Sequence, residues 1–337
     1  MFLIFSCLLL FIGSLTFTGL FRRYATLDIP NERSAHSTPT PRGGGLVFVL
    51  FFLLFLLICA YLQVIDTGLF LSLLLPGALI ATIGFVDDRR QVSALKRLTL
   101  HFLAASIALY CIGGFPSIFM LGHFFHAGLI LNILGLIYLV WMINLYNFMD
   151  GINGLAALEA ISICLGGASL SWLHGEYQAM YLPLGLAAAV GGFLYWNFPI
   201  ARIFMGDVGS GFTGLILALL SLQAGKISPD LLWAWLILSG VFIVDATFTL
   251  LARAISGQSI VEAHSHHAYQ HAAQQRGRHA PVSIAVLLIN LLWLLPMAVL
   301  VASHWLDGFA GLLLAYIPLI ILAWRFNAGC CRSRISN

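Results

Sequence analysis

Charged side chains are scarce in this sequence. Asp, Glu, Lys and Arg make up 9% of its 337 residues, where a soluble domain carries about 25%. With 61% hydrophobic residues and a mean hydropathy of +0.97, the chain has too little polar surface to face water all round. No polar stretch sets one apolar block apart from the next, so residues 1–337 are expected to form a single integral membrane domain. The net charge is only +3 and no basic run suits a nucleic-acid groove, which excludes a nucleic-acid partner. The six cysteines include no C-x-x-C pair, so neither a disulfide framework nor a thiolate metal site is indicated. H-E-x-x-H is absent, which argues against an intramembrane metalloprotease. Internal repeats are absent too, which argues against a transporter. Finally, no cation precedes the first apolar run and no A-x-A site follows it. Arg22 and Arg23 come after it instead, as expected of an uncleaved first helix whose N-terminus lies outside.

What the sequence has in abundance is apolar length. A helix crosses the hydrocarbon core in about 20 residues. The runs at 1–21, 44–63, 68–86, 98–114, 129–146, 154–173, 179–197, 209–225, 231–251, 282–302 and 308–325 have roughly that length. They are too long and too uniformly apolar for barrel strands. The expected fold is therefore all-α: a polytopic transmembrane helix bundle of about eleven spans, N-terminus outside and C-terminus inside. That topology puts 22–43, 87–97, 147–153, 198–208, 252–281 and the tail on the inner side. It places every Lys and Arg inside except Lys226, in accord with the positive-inside rule. Of the outer segments only 115–128 is more than a short turn, and its semi-apolar character suits the membrane interface.

The chemically capable residues fall on the same inner side. The first loop, DIPNERSAHSTPTPRGGG, offers Arg33, His36 and Arg42 for phosphate beside glycines that allow close backbone approach. The second, GFVDDRRQVSALKRL, begins with Asp87 and Asp88, adjacent carboxylates that require a cation or a metal nearby unless Arg89 and Arg90 simply balance them. In NLYNFMDGINGL, Asn144, Asn147 and Asp150 are three apart and share a face if the helix continues. Amides there can read a base edge. FPIARIFMGDVGSGF carries Arg202 and places Asp207 in a glycine-rich turn opening a helix, suited to an anion and to magnesium against it. SIVEAHSHHAYQHA gathers His264, His266, His267 and His271. A zinc site is the competing reading, with His264 and His267 on one helix face, although no soft ligands join them. Asp245, near the inner end of its span, has Arg253 as a candidate partner. Carboxylates for a hard cation, cations and glycines for phosphate, amides for a base and a lipid environment together point to phosphoryl transfer from an activated nucleotide to a lipid phosphate.

PTPRGGG, VDD at 86–88, NLYNFMDGING at 144–154, FMGDVGSG at 204–211 and HSHHAYQ occur in that order on one expected face. On these motifs the chain resembles, over essentially its whole length, the polyprenyl-phosphate N-acetylhexosamine-1-phosphate transferases of glycosyltransferase family 4. The resemblance implies transfer of a sugar phosphate from a UDP-N-acetylhexosamine to undecaprenyl phosphate with release of UMP. It also implies Mg2+ as cofactor, with Mn2+ as a substitute, and a homodimer in a bacterial inner membrane with its site facing the cytoplasm. It implies Asp207 as the metal ligand, and Asp87, Asp88, Asp150, His264 and His267 as catalytic groups. Asn144, Asn147, Asn153, Phe204, Arg42 and Arg202 are expected to bind substrate, Phe204 by stacking on uracil. Asn153 stands where many relatives have Asp, and H-S-H-H replaces the three consecutive histidines of the peptidoglycan-precursor branch. HAYQ and NFMDG look more like the branch that initiates O-antigen or other surface polysaccharides. The peptidoglycan-precursor transferase and a membrane transporter are the alternatives.

Overall fold

The computed structural model describes residues 1–30, 38–126, 128–259 and 265–330. Fourteen α-helices run through them, and each of the eleven apolar runs is helical, the one at 231–251 being divided between two helices. They are α1 (Phe2–Phe21), α2 (Gly45–Tyr61), α3 (Thr67–Asp87), α4 (Ala94–Ile112), α5 (Leu129–Met149), α6 (Leu155–Leu173) and α7 (Tyr181–Asn197). Beyond these come α8 (Asp207–Ile227), α9 (Pro229–Leu238), α10 (Gly240–Ile255), α11 (Ala268–Arg276), α12 (Ala280–Ile289), α13 (Leu295–Ala302) and α14 (Gly308–Arg325). Nine helical spans among the described residues are long and apolar enough to cross a membrane, or ten if the α9–α10 pair is one span. The apolar α2 has 17 residues and at 1.5 Å per residue covers about 26 Å. The expected single span at 231–251 is instead two helices bent by 69° at Ser239–Gly240. Hydropathy does not register such a break, because both arms are apolar. The run at 282–302 is continuous but contains one π turn, Asn290–Leu294.

Helix α8 is the axis of the bundle. Ninety-four per cent of its apolar window is buried, and it packs against α2, α3, α5, α6 and α9. Its glycines and small residues let those neighbours approach, as membrane packing requires. Helix α1, by contrast, is peripheral, with 17% of its window buried. Helix starts carry local signals: Asp66 accepts from the Leu69 N–H at the head of α3, and Asp307 from Ala310 at the head of α14. Two short antiparallel ribbons interrupt the helices. Leu27–Asp28 pairs with Thr40–Pro41, tying together the ends of the first loop. Ile118–Met120 pairs with His123–Phe125 inside the semi-apolar 115–128 segment, leaving Leu121, Phe124 and Phe125 exposed.

Candidate active site

The end of α3 meets the beginning of α8, and this junction builds the site. A Cβ on Gly84 would lie 2.4 Å from the Asp207 carbonyl oxygen, so only glycine lets α3 approach α8 this closely. Gly206, with φ of +77°, turns the chain into α8, and a Cβ there would lie 2.5 Å from the Asp88 carboxylate. In that gap Asp88 accepts the backbone N–H of Asp207 at 2.9 Å and of Val208 at 3.3 Å, capping the start of α8 from a different helix.

Two arginines knit the carboxylates together. Arg42 reaches Asp88 through Nε at 2.8 Å and Asp207 through Nη2. Arg97 lies 2.6 Å from Asp87 and 3.4 Å from Asp207. Asp87 also accepts the Val92 N–H at 2.7 Å. The solvated-cluster alternative for Asp87 and Asp88 needed Arg89 and Arg90. Arg89 lies instead over the Phe85 ring, 3.5 Å from its centroid. Burial opposes the charge on Arg42, but Asp207 and Asp88 outweigh it and hold the guanidinium above its ordinary value. Burial pushes the Asp88 carboxyl upward against Arg42 and the two amides. Asp150, just past the end of α5, is pushed well above the ordinary carboxylate range by burial, with Arg42 opposing and Asp207 and Asp88 adding to the shift.

Two adjoining cavities open on this cluster. The larger, of 370 Å³, is lined by Asp87, Asp207, Arg42, Arg97, Asn144, Asn147 and His267, among others. The smaller, of 220 Å³, is lined by Asn147, Asp150, Asn153, Phe204, Asp28 and His279, and shares Arg42, Gly151, Asp207 and Gln270 with the first. Helix α5 does continue far enough for Asn144 and Asn147 to face the larger cavity; it ends at Met149, and Asp150 lines the smaller cavity together with Asn147. The Asn144 amide nitrogen is 2.7 Å from the Val140 carbonyl and 3.2 Å from His101 Nδ1. The Asn153 amide donates to the Pro199 carbonyl at 3.3 Å. Asp88 lines neither cavity. Nor does Arg202, whose guanidinium lies 5.6 Å from the centre of the Trp196 ring.

The histidines separate by partner. His267 precedes α11 rather than lying within it, and caps that helix together with Gln270. Its Nδ1 is 3.3 Å from Asp245, which also accepts the N–H groups of Ala268 and Tyr269 at 3.0 Å each. Asp245 therefore pairs with His267, and not with Arg253 as its sequence neighbourhood suggested. Arg253 binds Gln258 and His266. His266 Nδ1 is 2.8 Å from that arginine, and burial and the nearby cation lower its pKa. His271 faces the Phe326 carbonyl at 2.7 Å. His264, Arg33 and His36 lie outside the described residues. Sequence reasoning missed Arg97, His101, Tyr269, Gln270, His279 and Asp28 as lining residues. Tyr269 and Gln270 had a signal in the HAYQ wording, and Arg97 entered only as a topological charge.

Three carboxylates, Asp87, Asp88 and Asp207, face two guanidiniums here, with the Asp150 carboxyl close by. An excess of oxygen donors without soft ligands fits a hard divalent cation. Among the described residues no three His, Cys, Asp or Glu side chains surround a common point. That is unlike a structural zinc centre, but compatible with magnesium, which takes one or two carboxylates and completes its shell with phosphate and water.

Comparison with known proteins identifies the family. Residues 70–225 match the family model described as glycosyl transferase family 4. The decaprenyl-phosphate N-acetylglucosaminephosphotransferase of Mycolicibacterium smegmatis is 34% identical over 301 residues, covering 80% of this chain and 73% of that protein. A probable undecaprenyl-phosphate N-acetylglucosaminyl 1-phosphate transferase of Bacillus subtilis is 28% identical over 316 residues, 89% of this chain and 84% of its own. The phospho-N-acetylmuramoyl-pentapeptide-transferase of Streptococcus mutans is 26% identical over 240 residues, 66% of this chain and 68% of that protein. With a family match through the core of the bundle and a relative this similar over four-fifths of its length, the chain belongs to the polyprenyl-phosphate N-acetylhexosamine-1-phosphate transferases.

Proposed function

We propose that the chain transfers N-acetylhexosamine-1-phosphate, with N-acetylglucosamine the first sugar to test, from its UDP-sugar to undecaprenyl or another polyprenyl phosphate. The products are UMP and a polyprenyl-diphosphate sugar, the first lipid-linked intermediate of O-antigen or another surface polysaccharide. The observation that carries this reading is the meeting of Asp87, Asp207, Arg42, Arg97, Asn147 and His267 around one cavity at the end of a membrane bundle. The choice of sugar rests on the activities for which the mycobacterial and Bacillus relatives are named, which match over more of the chain than the peptidoglycan-precursor transferase does. The cation count supports a cytoplasmic setting for this end, as a bacterial inner-membrane enzyme would have.

In this mechanism an oxygen of the lipid phosphate forms a bond to the β-phosphorus of the UDP-sugar. The bond from that phosphorus to the bridging oxygen breaks, and UMP leaves with the oxygen and its electron pair. The sugar C1–O bond is untouched, so anomeric configuration is retained. Asp207 would hold Mg2+, which supplies charge neutralisation on the diphosphate when bound. Asp87 faces the cavity and takes any proton remaining on the lipid phosphate. Arg42 and Arg97 orient the carboxylates and meet the phosphate oxygens. Asn153, Phe204 and Asp150 line the smaller cavity, where the nucleoside would lie, with Phe204 against the uracil. His267 presents the ring edge away from Asp245 to the diphosphate.

Purified protein should convert radiolabelled UDP-N-acetylglucosamine and undecaprenyl phosphate to labelled lipid, with release of UMP, in a magnesium-dependent reaction lost in Asp207→Ala. No labelled lipid from any UDP-N-acetylhexosamine with folded protein would refute the reading. A phosphorylated enzyme after incubation with UDP-sugar alone would replace the one-step displacement by a two-step route through an aspartyl phosphate.

A further inference from the structure

Trp196, at the end of α7, holds two arginines that the catalytic cavities do not use. Its indole N–H donates to the Leu15 carbonyl at 2.7 Å. Its ring edge fills a notch at Gly19, where a Cβ would come within 2.6 Å of the ring. The indole is thus fixed against α1. The Arg22 guanidinium carbon lies 4.4 Å from the ring centroid and that of Arg202 lies 5.6 Å from it. Arg202 is held there by its own backbone, whose N–H donates to the Trp196 carbonyl at 2.8 Å.

Cation–π attraction draws each guanidinium to the ring but leaves the repulsion between the two cations unrelieved. Among the described residues neither arginine has a carboxylate within ion-pair distance. The Arg22 Nε is buried and has no hydrogen-bond partner. A cation at the end of α1 is ordinary for a helix C-terminus, but that accounts for Arg22 only. It gives no reason for a second guanidinium on the same indole.

We propose that Arg22, Trp196 and Arg202 form a binding site for a lipid-borne phosphate, separate from the catalytic cavities. Paired guanidinium forks match phosphate oxygens, and a fixed tryptophan suits the membrane–water interface. The lipid part follows from α1, which is peripheral and leaves Phe17 and Leu20 more than half exposed within two turns of Arg22. An acyl or prenyl chain lies along that surface while its phosphate reaches the arginines. The ligand is a phospholipid headgroup or a polyprenyl phosphate, which share this chemistry.

The full-length protein would be examined by native mass spectrometry with phosphatidylglycerol, with phosphatidylcholine, whose choline offsets its phosphate, and with inorganic phosphate. Phosphatidylglycerol should be retained in preference to phosphatidylcholine, and Arg22→Gln/Arg202→Gln should weaken that retention roughly 25-fold, about fivefold per interfacial cation. Displacement by equimolar undecaprenyl phosphate would assign the site to the substrate lipid, and no displacement would assign it to the bilayer lipid. Either result supports a lipid-borne phosphate. Equal retention by the folded double variant, equal retention of phosphatidylcholine, or displacement by equimolar inorganic phosphate would overturn it. Should the variant not fold, hydrogen exchange on the unaltered protein decides. Phosphatidylglycerol should slow exchange at 197–203 relative to phosphatidylcholine, and no difference would reject the site.

Discussion

Replacing Asp245 by Asn tests whether a carboxylate remote from the substrate sets the working form of His267. One Asp245 oxygen faces His267 Nδ1 at 3.3 Å, the Ala268 N–H at 3.0 Å and the Thr249 hydroxyl at 3.2 Å. The other accepts the Tyr269 N–H at 3.0 Å. Asparagine keeps a single oxygen, so its NH2 group must face at least one of these donors. Leaving a buried N–H unpaired costs about 1–3 kcal/mol and losing the charge at the head of α11 about 0.3–1 kcal/mol, so roughly 1–4 kcal/mol is expected. The catalytic consequence is separate. Asp245 beside Nδ1 fixes the orientation of the His267 ring and turns Nε2 away from the acid. Without the anion the ring is free to take either tautomer and loses its orientation. On the proposed reaction kcat should fall by about 10²- to 10⁴-fold, the usual worth of a positioned acid or base, with a much smaller change in KM. Transfer assays supply the kcat and KM split, thermal melts the stability, and ¹⁵N-histidine NMR the tautomer. A folded Asp245→Asn protein with kcat within twofold of the parent, and with the tautomer unchanged, would refute the reasoning.

Gly84→Ala should destabilise the protein by about 1–3 kcal/mol, the usual cost of overpacking, because its Cβ would sit 2.4 Å from the Asp207 carbonyl oxygen. Transfer activity should fall with it as α3 and α8 part, whereas unchanged melting and activity would show that the junction is looser than it looks. Asp150→Asn should abolish transfer with little loss of stability, because burial already favours the neutral carboxyl. The sign is clear: the folded protein holds the Asp150 proton above the pH at which the unfolded chain releases it, so stability attributable to this group falls as pH rises beyond about 4. Melting curves of parent and variant should therefore diverge in the variant's favour with rising pH. Parallel curves would argue against a raised Asp150 pKa.

Much of this arrangement can be read from the chain alone, for reasons tied to particular residues. Helices announce themselves by apolar length, and all eleven runs are helical. The bend at Ser239–Gly240 does not, because a window average treats two apolar arms as one. Asp87, Asp207, Asn144 and Asn147 stand out as rare polar residues at the ends of apolar runs, and the structure brings them to one cavity. Partners are another matter. Arg97 and Asp207 are 110 positions apart and Arg42 and Asp207 are 165 apart, so only the meeting of α4 and the segment before α2 with the start of α8 reveals those pairs. Asp245 illustrates the opposite error. Arg253 lies two turns along the same helix, but the acid turns toward the chain after α10 and meets His267. Arg202 looked like a loop cation available for phosphate, and the fold sets it on Trp196 instead.

The two adjacent acids at the end of α3 are indistinguishable in sequence, yet their geometry divides their work. Successive residues on a helix point about 100° apart. Asp87 consequently faces the cavity and Arg97, whereas Asp88 turns into the seam with α8, its side chain 2% exposed. There it accepts two amides and Arg42. Asp88→Asn must leave one of those donors unmatched, so a stability loss of about 1–3 kcal/mol is expected, with activity falling as the start of α8 loosens. Asp87→Asn keeps an oxygen for the Val92 N–H and gives up only a half-exposed ion pair, so its stability should change by about 1 kcal/mol or less. Its effect belongs in turnover. If Asp87 takes the proton remaining on the lipid phosphate, the loss in kcat should shrink as pH rises and that phosphate ionises without help. Melting temperature and the pH dependence of kcat, measured on both variants, separate the roles. Equal melting losses, or an Asp87→Asn defect that stays constant with pH, would mean that the pair acts as one structural unit and that the lipid phosphate reacts without a base.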